Sequence, residues 1–284
     1  MKLDFVKMHG TGNDYIYVDC FKNKEPDDPS ALAVKLSNRH FYIGGDGVIL
    51  VCPSDAADAK MRMFNADGSE GRMCGNGIRC VAKFVYDNDI CKKETLRIET
   101  LSGIKTVRLH VMDGKVNSVT VDMGKPIFDP KLIPVITEDG MPIIGRRVMV
   151  GGHMHNVTCV SMGNPHCVLF VPEDFDLWNF DIVSAGPRFE NDAIFPDRVN
   201  TEFVKYIDET HLDMRVWERG SGETWACGTG TCATVVAACE TGRCRKGTDV
   251  TVKLLGGELV INYTDERVLM TGEATEAFRG RVEI

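Results

Sequence analysis

Long apolar runs are missing from this 284-residue chain. No segment approaches the roughly 20 apolar residues of a membrane-spanning helix. The opening Met1-Lys2-Leu3-Asp4-Phe5-Val6 starts no signal-type stretch, so a cytoplasmic protein is expected. Runs of Lys and Arg are also absent, and 41 acidic residues outnumber 33 basic ones for a net charge of −8. Nucleic acid is therefore not an expected partner, nor is a membrane. No Cys-x-x-C occurs, and the spacings Cys227–Cys232 and Cys239–Cys244 suit no zinc finger, so no metal is expected. There is no low-complexity linker. Gly228-x-Gly230-x-x-Ala233 formally fits a dinucleotide fingerprint, but the preceding Arg219–Thr224 is polar and glycine-rich rather than a buried strand.

What is present is an ordinary globular composition, 43% hydrophobic and 26% charged, in a chain long enough for two domains. Eleven cysteines stand out. Without an export signal they do not read as a disulfide framework, so most are expected to be small buried residues and a minority reactive. Strand-like runs recur at Tyr15–Val18, Val48–Val51, Lys60–Phe64, Leu96–Thr100, Thr106–Val111, Val116–Val121, Val157–Ser161, Val168–Val171 and Met214–Glu218. Thr248–Leu255 and Glu258–Asn262 predict a hairpin turning on Gly256-Gly257, because both glycines accept positive φ. Helical periodicity predicts a helix over Ser30–Arg39 capped by Ser30, and one after each of two glycine-rich loops. His153-Met154-His155 reads as a turn entering a strand rather than a metal pair.

The two loops carry the chemistry. Cys74-Gly75-Asn76-Gly77 and Cys227-Gly228-Thr229-Gly230 each run into an apolar stretch, and their cysteines lie 153 residues apart. The same offset aligns Arg62 with Arg215, Asn65 with Glu218, Gly68 with Ser221, Glu70 with Glu223 and Gly47 with Asn200. With a two-residue slip, Gly12-Asn13-Asp14 meets Gly163-Asn164-Pro165. An ordered series of this kind implies internal duplication and two similar domains, divided near Met123–Pro126. Ala233–Cys239 is apolar almost all round, which predicts a buried central helix. A helix N-terminus presents unpaired amides and partial positive charge, so it binds carboxylate and draws a cysteine toward thiolate. Two such loops supply what inversion of a carbon centre needs, two acid–base groups and amide donors for the charge that develops. No cofactor is required by this scheme.

Lys7-Met8-His9-Gly10-Thr11-Gly12-Asn13-Asp14, Phe64–Glu70, Cys74–Gly77, Gly163-Asn164-Pro165-His166, Arg198-Val199-Asn200 and Glu218–Gly230 closely resemble the diaminopimelate epimerase family, in order, from residue 3 to the end. The resemblance implies an α/β (α+β) fold of two pseudo-symmetric domains, each a curled, mostly antiparallel sheet around a central helix. With the final strand returning, the domains are 1–124 plus 271–284 and 125–270. It implies conversion of LL-diaminopimelate to the meso form, on the route to lysine and peptidoglycan, without a cofactor. Cys74 and Cys227 are the implied bases, with His166 and Glu218 assisting. Asn13, Asn65, Asn164, Asn200, Glu218 and Arg219 are the implied side-chain contacts, and Gly75, Asn76, Gly228 and Thr229 the backbone donors. Two positions depart from the family. Gly47 stands where some members carry Gln, so a contact is lost or passes to backbone. Leu269 stands where some members carry a tyrosine linked to homodimer formation. A proline racemase or hydroxyproline epimerase would need less polar clamping than Asn65, Asn200 and Arg219 provide. A thiol redox or zinc protein would need a functional disulfide or stable metal, and an idle binding module would not need Cys74 and Cys227.

Overall fold

Side-chain alternation along the strand Asn13–Asp19 sets the layering of the first half of the chain. Ile16 and Val18 point to one face, where Val48, Leu50 and Phe64 join Leu32, Ala33 and Leu36 of the helix Pro29–Leu36 (α1). Tyr17 points the other way, and its hydroxyl donates to the Gly77 carbonyl at 3.3 Å in the helix Gly75–Asp87 (α2). One helix therefore covers the outer face and the other fills the curl. The computed structural model describes residues 2–284.

The chain divides into two units, one running to Asp122 and resuming at Thr271–Ile284, the other Met123–Met270. In the first, Lys2–Gly10 pairs antiparallel with Asn13–Asp19, which runs parallel to Gly47–Cys52. Gly47–Cys52 is antiparallel to Ala59–Asn65, which is parallel to Thr95–Thr100, itself antiparallel to Gly103–Met112. The last strand, Thr275–Glu283, pairs antiparallel with Lys2–Gly10. α2 packs against the strands from Lys2–Gly10 through Gly103–Met112 named above, so the sheet curls around it.

The second unit repeats the sequence of pairings. His153–Ser161 is antiparallel to Pro165–Phe170, which is parallel to Asn200–Asp208. Asn200–Asp208 is antiparallel to His211–Glu218, which is parallel to Asp249–Leu254, itself antiparallel to Gly257–Tyr263. The helix Ile182–Glu190 (α3) takes the outer position, burying Phe189 among Val157, Cys159, Cys167 and Phe203. The helix Gly228–Glu240 (α4) is central and touches strands on every side. Equivalent details recur. Arg62 grips Glu70 with two bonds, at 2.8 and 3.1 Å, and Arg215 grips Glu223 at 2.7 and 3.1 Å. Fold class is thus α+β, with two related halves.

Two sequence expectations, both at the first helix, are corrected. α1 is capped by Asp28, whose carboxylate accepts from Ala31 N at 3.0 Å, with Pro29 at the first helical position. Ser30 instead donates to the Gly68 carbonyl at 2.8 Å, and the helix ends at Leu36 rather than Arg39. In the late hairpin only Gly257 lies at positive φ, 134°. Among the described residues no helix is long and apolar enough to cross a membrane.

Candidate functional site

Cys74 is the N-cap of α2, in extended conformation (φ −130°, ψ 121°), and its Sγ accepts from Gly77 N at 3.3 Å. Capping is normally the work of a Ser, Thr, Asp or Asn oxygen. A sulfur placed there meets the positive end of the helix. Gly77 lets the first turn approach the sheet, since a Cβ there would meet Ile49 Cδ1 at 2.8 Å and Met61 Cε at 3.0 Å. The thiol also contacts Asn13 Oδ1 at 3.3 Å. Asn13 is held in turn by Asp46, which accepts from its Nδ2 at 2.8 Å and from Asp14 N at 3.1 Å. Arg39 clamps both carboxylates, at 2.6 Å to Asp14 and 3.0 Å to Asp46.

Beneath this loop lies Arg79, fully buried and not marked by the sequence as a site residue. Its guanidinium donates to Gly75 O at 3.2 Å, Asn76 Oδ1 at 2.9 Å, Thr11 Oγ1 at 3.0 Å and Glu273 O at 3.3 Å. A buried charge survives only when hydrogen-bonded in this way. Here the bonds tie the Thr11 turn to the cysteine loop and fix the Asn76 side chain. Asn65 is bonded locally, its Nδ2 donating to Ser69 Oγ at 3.0 Å. Gly47 opposes Asn65 on the neighbouring strand, and a Cβ there would run into Phe64 O and the Tyr15 ring.

The second loop repeats the cap. Cys227 is extended (φ −119°, ψ 106°), and its Sγ accepts from Gly230 N at 3.4 Å and lies 3.5 Å from Thr229 Oγ1. Burial, then the carboxylates of Glu218 and Glu202, push the Cys227 thiol well above the ordinary cysteine value, so it is held protonated at neutral pH. Glu218 is itself pushed up by burial, against hydrogen bonds from Thr224 Oγ1 (2.5 Å) and the Cys227 thiol. His166 is fully buried, with Nδ1 2.7 Å from Glu202 Oε1 and Nε2 3.0 Å from Asn164 Oδ1.

Asn200 donates from Nδ2 to Pro165 O at 2.8 Å and accepts from Arg219 N at 2.9 Å, so it joins two loops of the second unit. The Arg219 guanidinium donates to Asp197 O at 2.8 Å. Glu190, another residue the sequence did not mark, accepts from Trp217 Nε1 (2.7 Å), Gly220 N (2.8 Å) and Arg198 Nη1 (3.0 Å) and so braces the Glu218–Gly220 segment. The structure thus gathers Cys74, Asn13, Gly75 and Asn76 at one helix N-terminus. It gathers Cys227, Gly228, Thr229, Glu218, His166 and Asn164 around the other. Glu202, Glu190 and Arg79 lay outside the paired motifs, and only the fold reveals them. Glu202 aligns with the apolar Ile49 at the offset of 153, so the duplication gave no signal there.

The family model described as diaminopimelate epimerase matches residues 5–128 and 158–276. A diaminopimelate epimerase from Agathobacter rectalis is 51% identical, covering 99% of this chain and all of its own. One from Acetivibrio thermocellus is also 51% identical, over 99% of this chain and 98% of its own. Among solved structures, a phenazine biosynthesis protein of the PhzF family from Bacillus anthracis superposes with a TM-score of 0.70 at 17% identity, each chain covered in full. A hydroxyproline epimerase from Agrobacterium vitis, with bound trans-4-hydroxy-L-proline, gives 0.69 at 13% identity, over 99% of this chain and 92% of its own. At those identities the structural likeness speaks for the fold alone. The family match spans most of the chain and the curated relatives span nearly all of it, and on that ground the chain belongs to the diaminopimelate epimerase family.

Proposed function

We propose that Cys74 and Cys227 are the two acid–base groups of an epimerisation that needs no cofactor. The chain is an isomerase that interconverts LL- and meso-diaminopimelate. The reading of its machinery rests above all on one observation: two cysteines cap two buried helices by the same sulfur–amide bond, in two units of like topology. Inversion requires one group to take the α-hydrogen and another to return a proton from the opposite face. Cys227 starts as the thiol, so Cys74 takes the α-hydrogen in the direction where Cys227 gives one up. After turnover Cys74 carries the hydrogen taken from the α-carbon and Cys227, having given its own to that carbon, is the thiolate; solvent exchange or the reverse reaction resets the pair.

The substrate α-carboxylate is bound by the helix N-terminal amides of Gly75, Asn76, Gly228 and Thr229, which also stabilise the carbanion as charge spreads into the carboxylate. Asn13, Asn65, Asn164, Asn200 and Glu218 bind the ammonium and carboxylate groups, and Arg219 grips the distal carboxylate. His166 and Glu218 tune the proton on Cys227. Replacing either cysteine by alanine is expected to lower turnover about 10²–10⁴-fold or more while the protein stays folded. A single variant with near-parental turnover contradicts the assignment.

A further inference from the structure

Glu202 is wholly buried, and its Oε2 has no hydrogen-bond partner among the described residues. An orphaned carboxylate oxygen in a dry interior is costly, and a merely structural residue would not be expected to keep one. The first unit supplies an internal control. Its parallel pair Tyr15 and Gly47 occupies the register that His166 and Asn200 occupy in the second unit. Two residues on, Ile49 stands where Glu202 stands. Ile49 Cδ1 is the atom a Cβ at Gly77 would meet, as Glu202 Oε1 is for Gly230, at 2.5 Å. The same architecture therefore folds with a tyrosine and an isoleucine. The His166–Glu202 pair is a departure that the fold does not demand.

Its geometry specifies a proton. Asn164 Oδ1 can only accept, so the 3.0 Å contact requires a hydrogen on His166 Nε2. Nδ1, 2.7 Å from Glu202 Oε1, either donates to the carboxylate from an imidazolium or accepts from the neutral acid. In both states Nε2 keeps its hydrogen, and the pair has no net charge. With Oδ1 claimed, the Asn164 amide is locked so that its Nδ2 hydrogens remain available, and no residue described here takes them.

We propose that Glu202 is a positioning residue: it keeps a hydrogen on His166 Nε2 and through it fixes the Asn164 amide with Nδ2 presented to a carboxylate of the substrate. This rests on the epimerase reading for the identity of that carboxylate. The test compares the full-length protein with Glu202→Ile, which copies the first unit, and Glu202→Gln. Long-range 1H–15N NMR of the histidine rings reads the tautomer, and steady-state kinetics with LL-diaminopimelate read KM and kcat separately. The parent is expected to carry the Nε2 hydrogen. Glu202→Ile is expected to lose that preference and to raise KM by about 10–100-fold, the usual effect of removing an outer partner that orients a ligand group, with kcat changed less. Glu202→Gln can donate its amide hydrogen to Nδ1, so it is expected to restore both the tautomer and the parental KM.

A folded Glu202→Ile variant with parental KM overturns the proposal, as does a parental His166 with bare Nε2. If the isoleucine variant does not fold, the glutamine variant decides: parental KM with the Nε2 hydrogen supports the proposal, and raised KM with that hydrogen intact overturns it. Absence of turnover in the parent would sink the epimerase reading instead, while the tautomer still reports on Glu202.

Discussion

The two sulfurs sit in one local geometry but differ in exposure. Cys227 is buried and flanked by carboxylates, while Cys74 is partly exposed and contacts the neutral amide of Asn13. At neutral pH, brief iodoacetamide treatment should therefore label Cys74 before Cys227 by peptide mass spectrometry; the reverse order would contradict the assignment of the resting proton. Glu218 yields a prediction with a definite sign. Its carboxyl is raised in the folded state, so the native protein binds more protons than the unfolded chain between the ordinary glutamate range and the folded value. Stability contributed by Glu218 is thus lost as pH rises through that window. Glu218→Gln should raise Tm relative to the parent at pH 8, give little gain at pH 4, and lower turnover about 10²-fold or more. Equal Tm differences at both pH values would refute the burial argument.

At the scale of elements, the glycines of the two capping loops are not equivalent. A methyl group at Gly77 presses on the free ends of Ile49 and Met61, which can give way, and alanine gains about 1 kcal/mol in helix propensity over glycine. A methyl group at Gly230 presses on Glu202, which His166 holds in place, and lies 3.3 Å from the Cys227 sulfur. Gly77→Ala should be near neutral in urea denaturation, whereas Gly230→Ala should cost about 1–3 kcal/mol and slow turnover. Equal costs would mean that Glu202 is freer than the structure has it. The elements themselves were unevenly legible. Strands with alternating or β-branched runs, such as Val48–Val51 and Val116–Val121, and the apolar helix after Cys227 announced themselves. The helix Ile182–Glu190 did not, because Gly186 and Pro187 sit inside it. Gly186 is required there, since the Trp217 ring lies where its Cβ would be. Ser30 looked like a cap because propensity ignores the proline before it, which moves the helix start to Asp28. That each of the two cysteines stands at a helix N-terminus was readable from the paired loops. The parts played by Glu202, Glu190 and Arg79 were not, because each has partners distant in sequence, His166 for Glu202, Trp217 for Glu190, and Thr11 and Glu273 for Arg79.

At the scale of the whole molecule, duplication explains why one chain supplies two similar caps, and divergence explains why the residues around them differ. The first unit is completed late, by Thr275–Glu283 on the edge of Lys2–Gly10, with Phe278 against Phe5 at 5.9 Å between ring centres. Deleting residues 275–284 should lower Tm and promote aggregation, because it bares the edge of Lys2–Gly10 and removes Val282 and Ile284 from the outer core. Unchanged Tm and solubility would show that this strand is dispensable. The central claim, two cysteines exchanging protons with one α-carbon, is tested most directly by incubating the reduced protein with LL-diaminopimelate in D2O, without added cofactor, and following the product by NMR. The account predicts the meso isomer with deuterium at the inverted centre, formed by the parent and by neither Cys74→Ala nor Cys227→Ala at a comparable rate. Meso product that retains the original hydrogen in full, or undiminished exchange in either variant, would contradict it.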